Sequence, residues 1–552
     1  MEANPVRIIQ YFDGTKQSVI PLFQRAYTWD KEKWSVLWDD IMTHYGTDGS
    51  TSHFMGAVVS IPVKTVPVGV NKHLVIDGQQ RLTTLAIILA VLRDIVDTKA
   101  AERIDDYLVN RHYEGPDRLK LLPTQGDREV YKLLILERAV STNESRVRDA
   151  YVYFKQRFKE NHDTDPIDPL RFLETLEQCL QVVMINLGDT DDPYLIFESL
   201  NAKGEPLTQA DLVRNYVLMK FRQSLESGGD QERIYEKYWN PLQKSLELSL
   251  TDFLRHYCMR DGTTVEKRTV YTAIKKLISE KSDNAQIEAE LNDMTRLGGY
   301  YASFIDPSKE SDLEVRNRLA AFSELDVTTG YPLLLRLFDS RSRQTITDAD
   351  FKTCLFLIES FVVRRAICAV PTNSLGKMFA QWSKDYRESE IVTWLHGRLS
   401  AGSGNARWPI DSAFKTAFQL SEQYGRKATR HVLTSLEKNF GHKEMVNLET
   451  ATIEHVMPQE LSPEWEQMLG TGAKELHESL LHTFGNLTLT AYNSELGNLP
   501  FDQKRDLLAK SHIDLNLWIC EQSEWTERTI ITRAGMLADT ASKLWVGPEF
   551  LP

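Results

Sequence analysis

The sequence predicts a multidomain, mainly helical protein that also contains α/β parts. A chain of 552 residues exceeds what one ordinary core accommodates, so about two to four domains are expected. Short β-like runs alternate with helices in the first part of the chain, whereas amphipathic helical periodicity recurs from 230 to 440. After 450 a strand-like run begins a segment whose predicted order is short hairpin, loop and helix.

The N-terminal part alternates strands and helices. Strands are predicted at 18–23, 54–61, 73–76 and 179–187, and helices at 30–45 and 80–98. A helix, a glycine turn and a second helix follow at 196–221, where Thr208 and Asp211 have the spacing of a helix cap. The predicted domains are 1–225, 226–400 and 401–552, with a glycine- and serine-rich linker at 397–409.

The charge balance restricts nucleic-acid binding to local patches. The formal net charge is −13, and affinity for a polyanion comes largely from neutralised phosphates. The basic stretch 255–276 is the first candidate patch, and Arg364 with Arg365 is the second. A solvated helix and loop surface is the competing interpretation of the first patch.

Neither a membrane span nor a leader is expected. The longest apolar run, 85–92, is far too short to cross a bilayer, and the start MEANPVRIIQ has no signal-peptide pattern. We therefore expect a cytoplasmic protein without membrane association. The five cysteines are scattered without a CxxC pair, so any metal would be held by oxygen and imidazole ligands.

The stretch HLVIDGQQRLTTL contains a polar turn between a strand and a long helix. Asp77 followed by Gln80 has the spacing of a capping box, which would satisfy free N–H groups at the helix start. Gln79 and Arg81 are outside that explanation, and a helix N-terminus beside a guanidinium can bind an anion. Phosphate is therefore the first ligand to expect. Neither GxxxxGK[ST] nor GxGxxG occurs, so no Walker or Rossmann site is predicted.

Two further segments are candidates for the same phosphate site. Arg25 precedes a group of aromatic residues that includes Trp34 and Trp38, both of which are expected in the core. A turn that could close over a nucleotide contains Asn201, Lys203 and Gly204. A sharp turn between two helices is the competing explanation for the glycine.

The C-terminal segment carries residues suited to phosphodiester hydrolysis. In TIEHVMPQ the carboxylate precedes the imidazole, and the polar residues of this segment are Glu454, His455, Asn486, Asn493, Asn498 and Lys504. A carboxylate and a side-chain carbonyl are hard oxygen ligands for Mg²⁺ or Mn²⁺. A neutral imidazole near pH 7 suits a general base that acts on water. A histidine–glutamate pair at the surface is the competing interpretation.

Both ends of the chain resemble the GmrSD family of restriction proteins. TIEHVMPQ with FGNLTL, an asparagine-rich turn and a following lysine resembles the His-Asn-His (ββα-metal) nuclease module at the family's C-terminus. Four motifs, IPLFQRAYTW, HFMGAVV, IDGQQRLTTL and IFESLNAKGEPLTQADLVRN, occur in the family's order. They look like its N-terminal domain, which is related to the ParB and sulfiredoxin fold. The resemblance implies a ParB-like α/β N-terminal domain, a helical middle and a C-terminal ββα-metal module.

The resemblance also implies residue roles. It makes Glu454 a metal ligand, His455 the general base and Asn486 the residue that orients the base. Asn493 would be the second metal ligand and Asn498 is the alternative, because the module has a second histidine where this sequence has asparagine. Lys504 would contact phosphate. The nucleotide site would comprise Arg25, Asp77, Gly78, Gln79, Gln80, Arg81, Asn201, Lys203 and Gly204.

The function expected from this resemblance is a modification-dependent DNA endonuclease of antiphage defence. Hydrolysis of a nucleoside triphosphate, GTP or ATP, would be coupled to metal-dependent cleavage or nicking of modified phage DNA that carries glucosylated bases or phosphorothioate linkages. One alternative is a ParB-like nucleotide-dependent DNA-binding regulator without nuclease activity, and another is an RNA-directed toxin nuclease. The oligomeric state is left open, and a homo-oligomer is one alternative.

Overall fold

The structure, a computed structural model, describes residues 2–22, 24–47, 52–63, 69–160, 166–187, 208–221, 229–441 and 447–550. Helices predominate in this part of the chain, and the strands form one mixed sheet and one two-stranded sheet. The chain divides into two compact units, Met1–Asn240 with Ile274–Glu288 and Pro241–Ala273 with Ala289–Pro552. Among the described helices, none combines the length and the apolar character that a bilayer span needs.

A mixed sheet organises the first unit. Its strands are β1 (Glu2–Arg7), β2 (Lys16–Val19), β3 (His53–Pro62), β4 (Asn71–Asp77), β5 (Leu121–Leu122) and β6 (Leu180–Asn186). Their order across the sheet is β1-β6-β3-β4-β2-β5. β2 is parallel to β4 and β5, and β3 is parallel to β6, whereas the β1–β6 and β3–β4 pairs are antiparallel.

Three of the predicted strands are confirmed. The runs at 54–61, 73–76 and 179–187 correspond to β3, β4 and β6. The strand predicted at 18–23 instead ends at Val19, because Pro21 lacks the N–H that would extend the ladder.

Helices lie between and after these strands along the chain. They are α1 (Ile8–Phe12), α2 (Lys31–Thr43), α3 (Gln79–Ile95), α4 (Thr98–Leu108), α5 (Gln125–Leu136), α6 (Arg146–Lys159), α7 (Pro169–Cys179) and α8 (Gln209–Met219). The helices predicted at 30–45 and 80–98 are thus confirmed as α2 and α3. The predicted cap of α8 is also confirmed, since Thr208 Oγ1 accepts a hydrogen bond from the Asp211 N–H.

Burial along α3 explains the long apolar run of its sequence. Every residue from Leu82 to Arg93 is buried, so the helix forms the centre of the first unit's core. Trp34 and Trp38 lie in the same core, and the Trp38 ring stacks on Phe172. The predicted core positions of these two tryptophans are therefore confirmed.

Between 229 and 441 the structure has helices and no strand, which confirms the helical interpretation of 230–440. The helices are α9 (Asp230–Ile234), a π-helical turn (Tyr235–Trp239), α10 (Asn240–Leu246), α11 (Leu250–Met259), α12 (Val270–Ser279), α13 (Asn284–Ile305), α14 (Leu313–Glu324), α15 (Tyr331–Ser342), α16 (Asp348–Ile367), α17 (Leu375–Lys384), α18 (Ile391–Ser400), α19 (Asp411–Leu420) and α20 (Lys427–Asn439).

The predicted basic patch at Arg364 and Arg365 is wrong, because both side chains are buried. The Arg364 guanidinium donates to the carbonyls of Pro409 and Trp545. Arg365 donates to the carbonyls of Asn405 and Arg407, among others. These arginines therefore hold the glycine-rich segment 397–409 against α16, so that the segment is packed rather than an open linker.

The contacts described for the other predicted patch, 255–276, favour its competing interpretation as a solvated helix and loop surface. Three of its cations, Arg260, Lys267 and Arg268, pair with the acids Asp293, Asp252 and Glu266. Such pairing neutralises the charge that would bind phosphates.

The last part of the chain contains the two-stranded sheet and its helices. The elements are β7 (Thr452–His455), α21 (Pro463–Leu469), α22 (Ala473–Leu480), β8 (Leu487–Thr490), α23 (Asn493–Leu496), α24 (Phe501–Leu508), α25 (Leu517–Cys520) and α26 (Glu527–Leu544). β7 and β8 pair as a hairpin and α24 follows them, as predicted, but α21 and α22 lie between the two strands and α23 lies between β8 and α24. Leu487 and Leu489 of β8 share a core with Val363 and Ile367 of α16.

Candidate active site

The pairing of β7 with β8 places Glu454 and His455 at the end of the hairpin. The strands are antiparallel, and His455 lies opposite Leu487 while Glu454 lies opposite Thr488. Because side chains alternate along a strand, the carboxylate and the imidazole leave it on opposite faces. Both are buried, with 6% and 4% of their surface exposed. This burial excludes the histidine–glutamate surface pair.

Lys504 holds both the Glu454 carboxylate and the main chain of β7 from the protein interior. Its side chain is fully buried, and Nζ lies 2.7 Å from Glu454 Oε1 and 2.8 Å from the His455 carbonyl oxygen. Burial raises the pKa of Glu454 and lowers the pKa of Lys504, and in each case the charge of the partner opposes the shift. The lysine thus compensates a buried carboxylate and also holds the main chain at the histidine.

Asn486 holds the segment that follows the histidine. Its side-chain oxygen accepts from the Met457 N–H at 2.7 Å and from the Trp525 indole at 3.0 Å. Its amide group donates to the carbonyls of Met457 and Leu481. All four contacts are to groups other than the His455 ring, so this asparagine orients the end of β7 rather than the imidazole itself.

The His455 ring is contacted by a second imidazole that the sequence did not indicate. His455 Nε2 lies 3.0 Å from His482 Nδ1, and His455 Nδ1 lies 3.5 Å from the Gln459 side-chain nitrogen. The Tyr424 ring packs edge-on against His455, with 4.4 Å between centroids. Burial, together with the charges of His482, Lys504 and His477, lowers the pKa of His455 to about 4. The imidazole is therefore neutral at pH 7.

Hard oxygen donors for a divalent ion are present at the hairpin, although they are few. Glu454 uses one carboxylate oxygen for Lys504, and Asn493 donates through Nδ2 to the Ile453 carbonyl at 3.5 Å, which leaves its Oδ1 as an acceptor. Within the described residues, no group of three His, Cys, Asp or Glu side chains could enclose a metal. Carboxylate and amide oxygens are of the kind that Mg²⁺ takes, one or two at a time, while water and phosphate complete its shell. Asn498 is exposed and contacts Glu460.

Several residues around the site escaped the sequence analysis, among them Tyr424, Gln459, His482, Trp525 and Arg533. The Arg533 guanidinium is buried and donates to the carbonyls of Phe484, Gly485 and Leu487. Burial lowers its pKa to about 9. A second histidine two residues before FGNLTL was the available signal for His482.

The polar turn of the first unit connects β4 to α3. Gly78 has φ +95° and is the N-cap of α3, and no side chain caps this helix. The competing explanation, a capping box of Asp77 and Gln80, is therefore wrong. A side chain at Gly78 would be strained by that φ and would press on Val58. The uncapped first turn leaves N–H groups that can donate hydrogen bonds to an anion.

The two glutamines and the arginine of this turn have different contacts. Gln80 bridges the preceding loop, since Oε1 accepts from the Thr28 N–H at 2.8 Å and Nε2 donates to the Ala26 carbonyl at 3.1 Å. Gln79 is 7% exposed, and its amide makes no hydrogen bond within the described residues. Arg81 donates to the carbonyls of Met55 and Ala57 and lies 3.6 Å from Asp77.

The arginine explains a glycine in the neighbouring strand. Gly56 has φ +95°, and a side chain there would overlap Arg81 Nη1. The segment from Phe54 to Ala57 is also where the pairing of β3 with β6 shifts register. Arg81 therefore supports an irregular part of β3 next to the turn.

The structure describes only some of the remaining candidates for the nucleotide site. Arg25 is half-buried and directly precedes the loop that Gln80 bridges. Gln24, its neighbour, donates to the Ile76 carbonyl at 2.8 Å, so this segment lies beside β4. Asn201, Lys203 and Gly204 lie outside the described residues.

Two family models match the chain, one at each of these sites. The model described as GmrSD restriction endonuclease, N-terminal domain, matches residues 8–218 and includes the polar turn. The model described as GmrSD restriction endonucleases, C-terminal domain, matches residues 408–540 and includes the hairpin. A search of curated proteins finds no match.

Proposed function

The chain belongs to the GmrSD restriction endonuclease family, and we propose that it hydrolyses DNA phosphodiesters with His455 as the general base. The observation that carries this proposal is the position of the His455 imidazole at the end of the hairpin, where two buried neighbours, Lys504 and Asn486, hold the main chain. A neutral imidazole can take a proton from water at pH 7. Its own pKa of about 4 means that it is not already protonated there.

The proposed reaction is attack of water on a DNA phosphorus atom. His455 takes a proton from the water as the new P–O bond forms and the bond to the leaving sugar oxygen breaks. Glu454 and Asn493 would hold Mg²⁺ or Mn²⁺, which when bound stabilises negative charge on the leaving oxygen. Lys504 acts from inside the protein, where it keeps Glu454 and the histidine main chain in place.

For the N-terminal part we assign nucleotide binding to the turn at 77–81. The uncapped N-terminus of α3 and the side-chain amide of Gln79, which makes no hydrogen bond within the described residues, are suited to phosphate oxygens. Arg81 and Gln80 then shape the turn, and Asp77 is placed to hold a water or a magnesium ion beside the phosphates. We further propose that GTP or ATP hydrolysis here licenses cleavage of modified phage DNA by residues 401–552, and that residues 1–225 form the sensor.

The test uses the full chain and four nucleic acids: unmodified, glucosylated and phosphorothioated duplex DNA, and RNA. Each is incubated with Mg²⁺ or Mn²⁺, with GTP, with ATP or with no nucleotide, and nicking and double-strand cleavage are measured. Cleavage of one modified DNA in preference to the other substrates is expected. Preferential cleavage of RNA would instead support the toxin nuclease, and nucleotide hydrolysis without any cleavage would support the regulator.

The base assignment is tested with His455→Ala. We expect the cleavage rate to fall about 100- to 10,000-fold with little change in melting temperature, because a positioned base is lost. His512→Ala is the matched control, since His512 is exposed, and it should cleave normally. A folded His455→Ala protein that cuts at the wild-type rate would refute the role of His455.

A further inference from the structure

The His455–His482 contact determines which ring nitrogen of His455 can accept a proton. Nε2 of His455 and Nδ1 of His482 are 3.0 Å apart, and a neutral imidazole has one N–H and one acceptor nitrogen. If His482 donated, His455 would carry its proton on Nδ1 and would have no free lone pair. Only the arrangement in which His455 Nε2–H donates to His482 leaves the lone pair on Nδ1 of His455, where the long 3.5 Å contact with the Gln459 side-chain nitrogen is the one that a water would replace.

The His482 ring is itself held in place by its neighbours. The His482 carbonyl oxygen accepts from the Gln423 N–H at 2.8 Å, which ties the main chain. The Tyr424 ring is stacked on the His482 ring, with 5.4 Å between centroids and 11° between planes. Gln423 is buried and donates through its side chain to the carbonyls of Ile367 and Ala417. Nδ1 of His482 is therefore held in position by a segment whose main chain and ring both have fixed contacts.

We propose that His482 is a positioning residue for DNA cleavage, whose Nδ1 accepts the Nε2–H of His455 and so directs Nδ1 of His455 to the attacking water. This inference rests on the proposed role of His455. The water proton moves to His455 Nδ1 as the new P–O bond forms, and the leaving sugar oxygen receives a proton from solvent. The resulting imidazolium keeps its Nε2–H bond to His482, so one hydrogen bond fixes the tautomer before the step and stabilises the charge after it.

Two substitutions separate the acceptor from the ring. His482→Phe keeps a ring that stacks on Tyr424 but has no acceptor, whereas His482→Asn lacks the ring and can place its side-chain oxygen near the position of Nδ1. Cleavage is measured on whichever of the unmodified, glucosylated or phosphorothioated duplexes the wild-type protein cuts best. We expect His482→Phe to lower kcat about 10- to 100-fold, the range seen when a partner that orients an essential histidine is lost. KM for DNA should not change, and His482→Asn should recover most of the lost kcat.

The outcomes distinguish this inference from the proposed function. Unchanged kcat in folded His482→Phe, or a change confined to KM, overturns the inference. Equal losses in the Phe and Asn variants also overturn it, because packing of the ring would then be what matters. If the melting temperature shows that Phe is not accommodated, His482→Leu replaces it with the same expected loss. If His455→Ala is inactive while His482→Phe is fully active, only the inference fails; if His455→Ala cleaves normally, the proposed base fails and the inference fails with it.

Discussion

The turn at 77–81 and the hairpin at 452–490 hold their functional groups by different means. At the turn, partly exposed side chains bond to main-chain carbonyls, as Arg81 does with 20% of its side chain exposed. At the hairpin, a fully buried Lys504 compensates a buried carboxylate. Breaking a buried ion pair costs far more than removing a partly exposed hydrogen bond. Substitutions at the turn should therefore report on function with little loss of stability, while those of the buried Lys504–Glu454 pair should change both stability and function.

The largest effect on stability is expected for Lys504→Met, which removes the charge but keeps most of the volume. It leaves Glu454 buried without a partner, and we expect a loss of about 3–5 kcal/mol in the free energy of unfolding. Urea denaturation measures this loss. Combining Glu454→Gln with Lys504→Met removes both charges and should restore much of the stability. A single variant as stable as the wild type would contradict the burial of this pair.

How much of this site the sequence could predict depends on the separation of the contacting residues. Glu454, His455 and the individual strands follow from local patterns, as does the helix that carries Lys504. The partner of His455 does not, because His482 is 27 residues away in the chain and local periodicity carries no information about such contacts. Gln80 illustrates the same limit: its spacing from Asp77 predicted a cap, but its partner Thr28 is 52 residues away.

The prediction that Arg364 and Arg365 form a surface patch was wrong for a related physical reason. A pattern of charge along the chain predicts exposure, but Arg364 finds carbonyl acceptors on segments distant in sequence, including Trp545. A guanidinium with enough acceptors can be buried. The sequence shows the donors of such a network, whereas the acceptors belong to the main chain and are set by the fold.

A smaller loss of stability is expected for Asn486→Ala. The substitution removes the partners of the Met457 N–H and carbonyl and of the Trp525 indole. Because unpaired buried groups are costly, we expect a loss of about 2–3 kcal/mol on unfolding in urea. Asn498→Ala is the matched control in the same segment, and since Asn498 is exposed it should change stability by less than about 0.5 kcal/mol. Equal effects of the two substitutions would mean that the Asn486 contacts do not hold the hairpin.

At the turn, Arg81→Lys is expected to cost about 1–2 kcal/mol, because lysine cannot span the Met55 and Ala57 carbonyls as a guanidinium does. Nucleotide hydrolysis should fall as the turn loses its shape. Arg103→Lys is the control, because the exposed Arg103 side chain keeps a charge that can pair with Glu177, and it should cost less than about 0.5 kcal/mol. Normal stability with lost nucleotide binding would show instead that the Arg81 guanidinium contacts the phosphates directly.

The finest comparison is between the two adjacent glutamines. Gln80→Ala removes the hydrogen bonds to Ala26 and Thr28 and should lower stability by about 1 kcal/mol. Gln79→Ala breaks no hydrogen bond within the described residues, so little polar stabilisation is lost. If Gln79 faces phosphate, however, its substitution should weaken GTP or ATP binding, because a neutral hydrogen bond to an anion is lost. Melting temperature and nucleotide affinity are measured on both variants. The melting temperature should fall more in Gln80→Ala, and the affinity for GTP or ATP should fall more in Gln79→Ala. A Gln79→Ala protein that binds GTP and ATP as the wild type does would remove Gln79 from the nucleotide site, and it would leave the helix N-terminus as the remaining phosphate contact to test.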